Sequence, residues 1–247
     1  MRAIVLAAGK GTRLMSEQFN LPKVLRELGG RPIIRHVLDN IGFIAPEDIT
    51  LVVGYKAEMV REFLGEAYHY ALQTEQKGTG HAVLAAESLF ADYDGDVMIL
   101  FGDMPMFRAE IYRGIIQKHQ ESGADQTILT AVSESPLPYG RILRDADGKI
   151  CGIVEQKDAT PEQLAIRELN VGICVAKSRA LYDALHQIGN NNAQGEYYLT
   201  DVPKILYQNG KKVESYIIYD DVAIVGVNTP EDLAFCEKHL KERRNRA

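Results

Sequence analysis

From Ala3 to Val132 the chain alternates short apolar runs with stretches of helical periodicity, a rhythm that few architectures accept. Ala3 to Leu6, Ile49 to Val53, Ala71-Leu72, Val97 to Phe101 and Thr127 to Val132 read as strands. Between them, Pro32 to Ile41 carries apolar residues at 33, 34, 37, 38 and 41, one face of a helix, and 57–64, 81–89 and 111–119 read as helices too. Strands that are apolar throughout are covered on both faces. The prediction is an α/β fold: a Rossmann-like, mostly parallel mixed sheet with helices on both faces.

The second half leaves this rhythm. Arg141 to Leu143 and Ile150 to Val154 flank Asp147-Gly148, a hairpin signal. Strands are expected over 169–175, 213–219 and 223–227, and helices over 178–186 and 202–208. Thr229-Pro230-Glu231-Asp232 opens a last helix with a capping box, and Thr160-Pro161-Glu162-Gln163 has the same signature. With no linker or repeat, a single domain over 1–247 is expected, the hairpin forming a small lid or subsite on the main sheet.

Composition narrows the function. Net charge is −6, which argues against nucleic-acid binding, yet residues 1–35 carry seven basic side chains against two acidic ones. That segment suits a small anion. The apolar runs fall far short of a membrane span, and the one after Met1-Arg2 is too short for a signal peptide. Three scattered cysteines, Cys151, Cys174 and Cys236, fit reduced thiols in a cytoplasmic protein better than a disulfide framework.

The chemistry concentrates at strand ends. Leu6-Ala7-Ala8-Gly9-Lys10-Gly11-Thr12-Arg13 follows the first strand, where open α/β sheets bind ligands. Its glycines let backbone N–H groups approach an anion, while Lys10 and Arg13 add charge. It is neither a Walker A loop nor Gly-x-Gly-x-x-Gly, since Leu14 stands where the third glycine belongs. Leu21-Pro22-Lys23 presents a lysine suited to phosphate, and Phe101-Gly102-Asp103 delivers a carboxylate from the end of a buried strand. Taken singly, each also fits an ordinary turn.

Together these segments resemble the sugar nucleotidylyltransferases. The stretches 72–82, 139–142, 152–159, 169–173 and 192–201 are similar, in order, to the bacterial N-acetylglucosamine-1-phosphate uridylyltransferase domain. The resemblance implies the nucleotide-diphospho-sugar transferase fold, with 1–135 binding nucleotide, 136–228 binding sugar and 229–247 a C-terminal helix. It implies UTP and a sugar 1-phosphate as partners, Mg²⁺ as cofactor, no nucleic acid or membrane, and a monomer or weak dimer. Leu6, Ala7, Ala8, Gly9, Lys10, Gly11, Gln73, Gly78 and Thr79 would contact the nucleotide. Arg13, Lys23 and Asp103 would be catalytic, and Asp103 and Asn228 would hold the metal. Gly140, Glu155, Asn170, Tyr198 and Thr200 would face the sugar.

Two departures from the family pattern stand out. The arginine and lysine usually lie seven apart, but Arg13 and Lys23 are ten apart, with Glu17 to Asn20 enlarging the loop toward the length of hexose-1-phosphate nucleotidylyltransferases. Another sugar phosphate or nucleotide therefore stays open, as does a non-catalytic nucleotide-sugar binding protein. A glycosyltransferase reading would rest on Asp145-Ala146-Asp147, which lies in the hairpin turn. Bifunctional relatives continue into a left-handed β-helix acetyltransferase, and this chain is expected to lack that activity and its trimer.

Overall fold

Nine strands join in one sheet among the described residues, 1–135 and 137–245 of a computed structural model. In chain order the strands are β1 (Arg2–Ala7), β2 (Glu27–Leu28), β3 (Arg31–Pro32), β4 (Ile49–Val53), β5 (His69–Leu72), β6 (Asp96–Phe101), β7 (Gln126–Val132), β8 (Gly140–Arg144), β9 (Ile150–Val154), β10 (Glu168–Lys177) and β11 (Val213–Ile218). The helices are α1 (Ile33–Asn40), α2 (Ala57–Leu64), α3 (Thr79–Leu84), α4 (Ala109–Ser122), α5 (Pro161–Leu164), α6 (Ser178–Leu185), α7 (Val202–Gln208) and α8 (Pro230–Arg244).

The sheet order is β11-β7-β10-β6-β1-β4-β5. β1 is parallel to both β4 and β6, β4 to β5, and β7 to β11. β10 alone on this path runs antiparallel, against β6 and β7. The β8–β9 hairpin hangs from the start of β10 through the pairs Leu169↔Arg141 and Asn170↔Gly140.

Alternation along the strands divides the core between two faces. Met98 and Leu100 of β6 pack with Val37 of α1, Val60 of α2 and Tyr112 of α4. Val97 and Ile99 pack on the other face with Val83 of α3, Leu181 of α6 and Leu206 of α7. Each such buried aliphatic side chain contributes about 1.5–3 kcal/mol of transfer free energy, so the doubly covered centre fixes the sheet, and the carboxyl ends of β1 and β6 emerge beside each other.

Three stretches differ from the sequence expectation. The segment 223–227 is not a strand. The Asp220 carboxylate accepts from the N–H groups of Val222 and Ala223 at 3.1 and 3.0 Å and winds the chain into turns. Its apolar side chains reflect burial, with Ala223, Ile224 and Val227 inaccessible. The expected helix over 81–89 starts earlier and breaks: α3 ends at Leu84, and Glu87–Leu89 is a 3₁₀ turn. That tightening brings Phe90 into the core, its ring centroid 6.0 Å from that of Tyr182. The β2–β3 hairpin was not expected, although Gly29-Gly30, both with positive φ, is a turn sequence of that kind. Both capping boxes form, at Thr160 and Thr229.

One irregularity shapes the site. Asn170 of β10 pairs with Thr130 of β7, but Cys174 pairs with Ile128, so the four-residue step on β10 matches a two-residue step on β7. Gly172, at φ +88°, lies inside this bulge. A Cβ there would stand 2.6 Å from the Phe101 ring.

Candidate active site

Two cavities meet beyond the carboxyl ends of β1 and β6. The loop-side cavity, about 410 Å³, is lined by residues including Leu6 to Gly9, Arg13, Lys23, Gln73, Gly78 and Thr79. The hairpin-side cavity, about 260 Å³, takes in Gly140, Glu155, Asn170, Thr200 and Asn228. Thr79, Phe101 and Asp103 belong to both walls. Each cavity draws on both halves of the chain, since Glu196 reaches the first and Phe101 the second.

The glycine loop is held in place by its backbone. Leu14 and Ser16 both donate N–H bonds to the Gly11 carbonyl, at 3.1 Å each. Gly11 sits at φ +71°, and a Cβ there would come within 2.6 Å of Ser16 Oγ and 2.8 Å of Lys23 Cβ. Only glycine lets the turn close over the lysine stem. Gln76 Nε2 donates to the Ala8 carbonyl at 2.8 Å, tying the loop to the segment after β5.

Gln73 is buried, and its Nε2 donates to the Gly78 carbonyl at 3.1 Å. The 77–80 segment is clasped by the chain before α7. Gly80 N–H donates to the Tyr197 carbonyl and Tyr197 N–H to the Lys77 carbonyl, both at 2.8 Å. Thr79 Oγ1 accepts from Leu199 N–H at 3.0 Å.

At the junction, Lys23 Nζ pairs with Asp103 Oδ2 and donates to Asn228 Oδ1 at 2.8 Å. Arg13 Nη2 donates to the same amide oxygen at 3.2 Å. Asn228 is oriented from both sides. Its Nδ2 donates to the Gly226 carbonyl at 3.2 Å, and its backbone N–H donates to Asp232 Oδ2 at 2.9 Å, beside the cap of α8. A carboxylate oxygen and an amide oxygen thus converge on one cationic atom, although their residues lie far apart in the chain. Two hard oxygens on one cation are a donor set that fits Mg²⁺, which commonly takes one or two protein ligands and completes its shell with phosphate and water.

The far wall is built from the hairpin and β10. Glu155 Oε1 accepts from Thr200 Oγ1 at 2.8 Å, and Asn170 Oδ1 accepts from Gly172 N–H at 3.1 Å. Burial pushes the Glu155 carboxyl up; the Thr200 bond opposes this, and the charges of Asp158, Asp201 and Glu196 reinforce it. Tyr139 lines the same cavity, with its hydroxyl on the Ile224 carbonyl and its pKa pushed up to about 12 by burial.

Glu155 makes a pH prediction with opposing signs. Its folded pKa exceeds the unfolded value, so over that interval the native state binds more protons and stability falls as pH rises. Glu155→Gln is therefore expected to raise Tm at neutral pH. It is also expected to weaken a hydroxylated ligand in the hairpin-side cavity, because a carboxylate accepts more strongly than an amide. In the parent protein, the KM of that ligand should rise as pH falls through the raised pKa. Thermal melts and pH profiles of KM check both signs, and equal profiles in parent and variant would remove Glu155 from the site.

Some expected site residues stand apart. Lys10 is exposed and lines a separate outer hollow with Tyr55 and Thr74. Gly11 shapes the loop from behind. Tyr198 is buried and is not part of either cavity wall. Conversely, Gln76, Tyr139, Glu196 and Gln126 reach the cavities without having been singled out. Gln126 had a readable signal, as a lone amide opening the apolar run 127–132.

Comparison with known proteins identifies the family. Residues 2–222 match the family described as Nucleotidyl transferase. The chain is 44% identical over 245 residues to the bifunctional protein GlmU of Streptococcus uberis, covering 99% of this chain and 53% of that one. It is 43% identical over 243 residues to the bifunctional protein GlmU of Enterococcus faecalis, covering 98% and 52%. The chain thus spans about half the length of these curated relatives. A crystal structure of UDP-glucose pyrophosphorylase complexed with UDP-glucose superposes with a TM-score of 0.79 at 15% identity, over 98% of each chain, and shares the fold. A family match running from β1 through β11, with 44% identity to a relative aligned over 99% of the chain, establishes that this chain belongs to the nucleotidyl transferase family.

Proposed function

We propose that the chain condenses UTP with N-acetylglucosamine 1-phosphate, giving UDP-N-acetylglucosamine and pyrophosphate. The observation that carries this reading is the meeting of the two cavities at Lys23, Asp103 and Asn228. Residues 1–135 supply most of the nucleotide side, 136–228 most of the sugar side, and α8 sets Asn228. The similarity to GlmU proteins supports the choice of nucleotide and sugar.

The reaction asks for a phosphate oxygen of the sugar ester to attack the α-phosphorus of UTP in line, forming one P–O bond as the bond to pyrophosphate breaks. No enzyme nucleophile is required; position and charge do the work. Backbone amides at Ala7 to Gly9 bind the triphosphate, and Arg13 and Lys23 face the charge that builds during transfer. Gln73 can offer a pyrimidine edge both a donor and an acceptor. Glu155, Thr200, Asn170 and Gly140 orient the sugar. Mg²⁺, held by Asp103 and Asn228, would neutralise phosphate charge.

A monomer or weak dimer is proposed as the working unit, which size-exclusion chromatography with light scattering tests. Three free cysteines support a cytoplasmic setting, and no described helix is long and apolar enough to cross a membrane. The test is pyrophosphate release over UTP, dTTP, CTP and GTP against N-acetylglucosamine, glucosamine and glucose 1-phosphates. Turnover is expected to peak with UTP and the N-acetyl sugar. A maximum elsewhere in the matrix replaces the substrate assignment, and UDP-sugar binding without turnover leaves a binding protein.

A further inference from the structure

The hairpin-side cavity continues below the residues assigned above. Its lower part lies against β7 and β10, walled by Ile128, Cys174, Ile153 and Pro203. Those groups are apolar or weakly polar. The exception is Gln126, which is 2% exposed and also lines the cavity. Its side chain hydrogen-bonds the Cys174 thiol, and its Oε1 is buried without a partner among the described residues. A buried amide oxygen left unpaired is costly, and native proteins rarely leave one without a use.

The position of this oxygen relative to the junction indicates what it meets. Gln126 lies four residues before Thr130, the partner of Asn170, and so roughly 13 Å down the strand at about 3.3 Å per residue. Asp103 and Asn228 stand at the opposite, upper end of the cavity, with Lys23 of the loop-side cavity bonded to both. A sugar whose 1-phosphate is held at that upper end turns its opposite ring edge, C4 with the C6 arm, toward the floor. The groups on that edge are hydroxyls, and a hydroxyl is the donor that Oε1 lacks.

We propose that Gln126 is a specificity-determining residue: its amide oxygen accepts a hydrogen bond from a hydroxyl on the sugar edge remote from the 1-phosphate. The assignment rests on the function proposed above and adds a residue and a ring position to it. A cavity built to pair a hydroxyl discriminates strongly against an analogue lacking it, because the protein group is then stranded. Gln126 thereby selects the far edge, while Glu155 and Thr200 act nearer the rim.

The test compares the parent protein with Gln126→Leu and Gln126→Met, both close in volume and unable to accept. N-acetylglucosamine 1-phosphate and its 4-deoxy and 6-deoxy analogues serve as probes, and parent turnover with UTP, scored first, tests the function itself. The expected result is a rise of about tenfold or more in KM for the full sugar, with KM for UTP unchanged. One deoxy analogue should then show the same KM in parent and variants, which identifies the hydroxyl. An unchanged KM for the full sugar overturns the proposal and leaves Gln126 holding only water. An equal loss with the sugar and both analogues overturns it too, as general packing damage. If one variant fails to fold, by its thermal melt, the other carries the comparison. Should the parent turn over none of the three sugars, calorimetric titration of the same sugar phosphates into parent and variant reads Gln126 independently, with equal affinities counting against it.

Discussion

Asp103→Ala is expected to reduce turnover by about 10³-fold or more, with the sheet intact, the scale on which loss of one preorganised electrostatic group acts. Asp103 follows β6 in the shared wall of the two cavities, and its carboxylate contributes little to the core. What it does hold is Lys23, whose side chain is 10% exposed. Without Asp103, the ammonium keeps only Asn228 as an acceptor, and the pair of hard oxygens becomes a single amide. A buried cation that loses its partner is destabilising, so a modest fall in Tm should accompany the loss of turnover. Pyrophosphate release at saturating Mg²⁺, with circular dichroism as the fold control, checks this. Near-normal turnover would place the chemistry elsewhere.

Gly78→Ala is expected to damage both stability and nucleotide binding. Gly78 has φ +109° and ψ 174°, a region almost closed to other residues, at a cost of about 1–3 kcal/mol. The added Cβ would also stand 2.5 Å from the Tyr197 carbonyl oxygen and 2.9 Å from its nitrogen. Those are backbone atoms, already engaged with Gly80 and Lys77, so the clasp must open. At about 2–4 °C per kcal/mol for a chain of this size, a Tm loss of several degrees follows. KM for UTP should rise about tenfold or more, since Gln73 donates to the Gly78 carbonyl and moves with it. Gly65→Ala is the matched control, because Gly65 also has positive φ but would meet nothing within 4 Å. A Gly78 variant no worse than the Gly65 variant would show that the clasp yields freely.

Much of this arrangement was legible in the sequence, for identifiable reasons. β1, β4, β6 and β7 are short, apolar and bounded by turn residues, and such runs identify strands buried on both faces. The caps at Thr160 and Thr229 are local chemistry, complete within four residues. That Asp103 and the start of the glycine loop line a cavity could be read in advance, because clefts in this class of sheet lie beyond strand ends. The segment 223–227 misled because burial and strand pairing leave the same apolar trace, and only Asp220 in the turn distinguishes them. Tyr198 and Lys10 were carried by their motifs, yet whether a motif residue faces a cavity depends on packing that motifs do not encode. The bulge at Gly172, and with it the depth of the hairpin-side cavity, depends on the register of β7 against β10, more than forty residues away in sequence.

The way Asn228 is held has a consequence for the making of the molecule. Its place is set by Asp232 in the first turn of α8, while the carboxylate that shares Lys23 with it, Asp103, follows β6. The amide oxygen and the carboxylate come together only once the segment from Gly226 to Asp232 has docked beyond β6. The two oxygens are therefore coupled to the packing of α8, and releasing Asp232 would part them without touching the sheet.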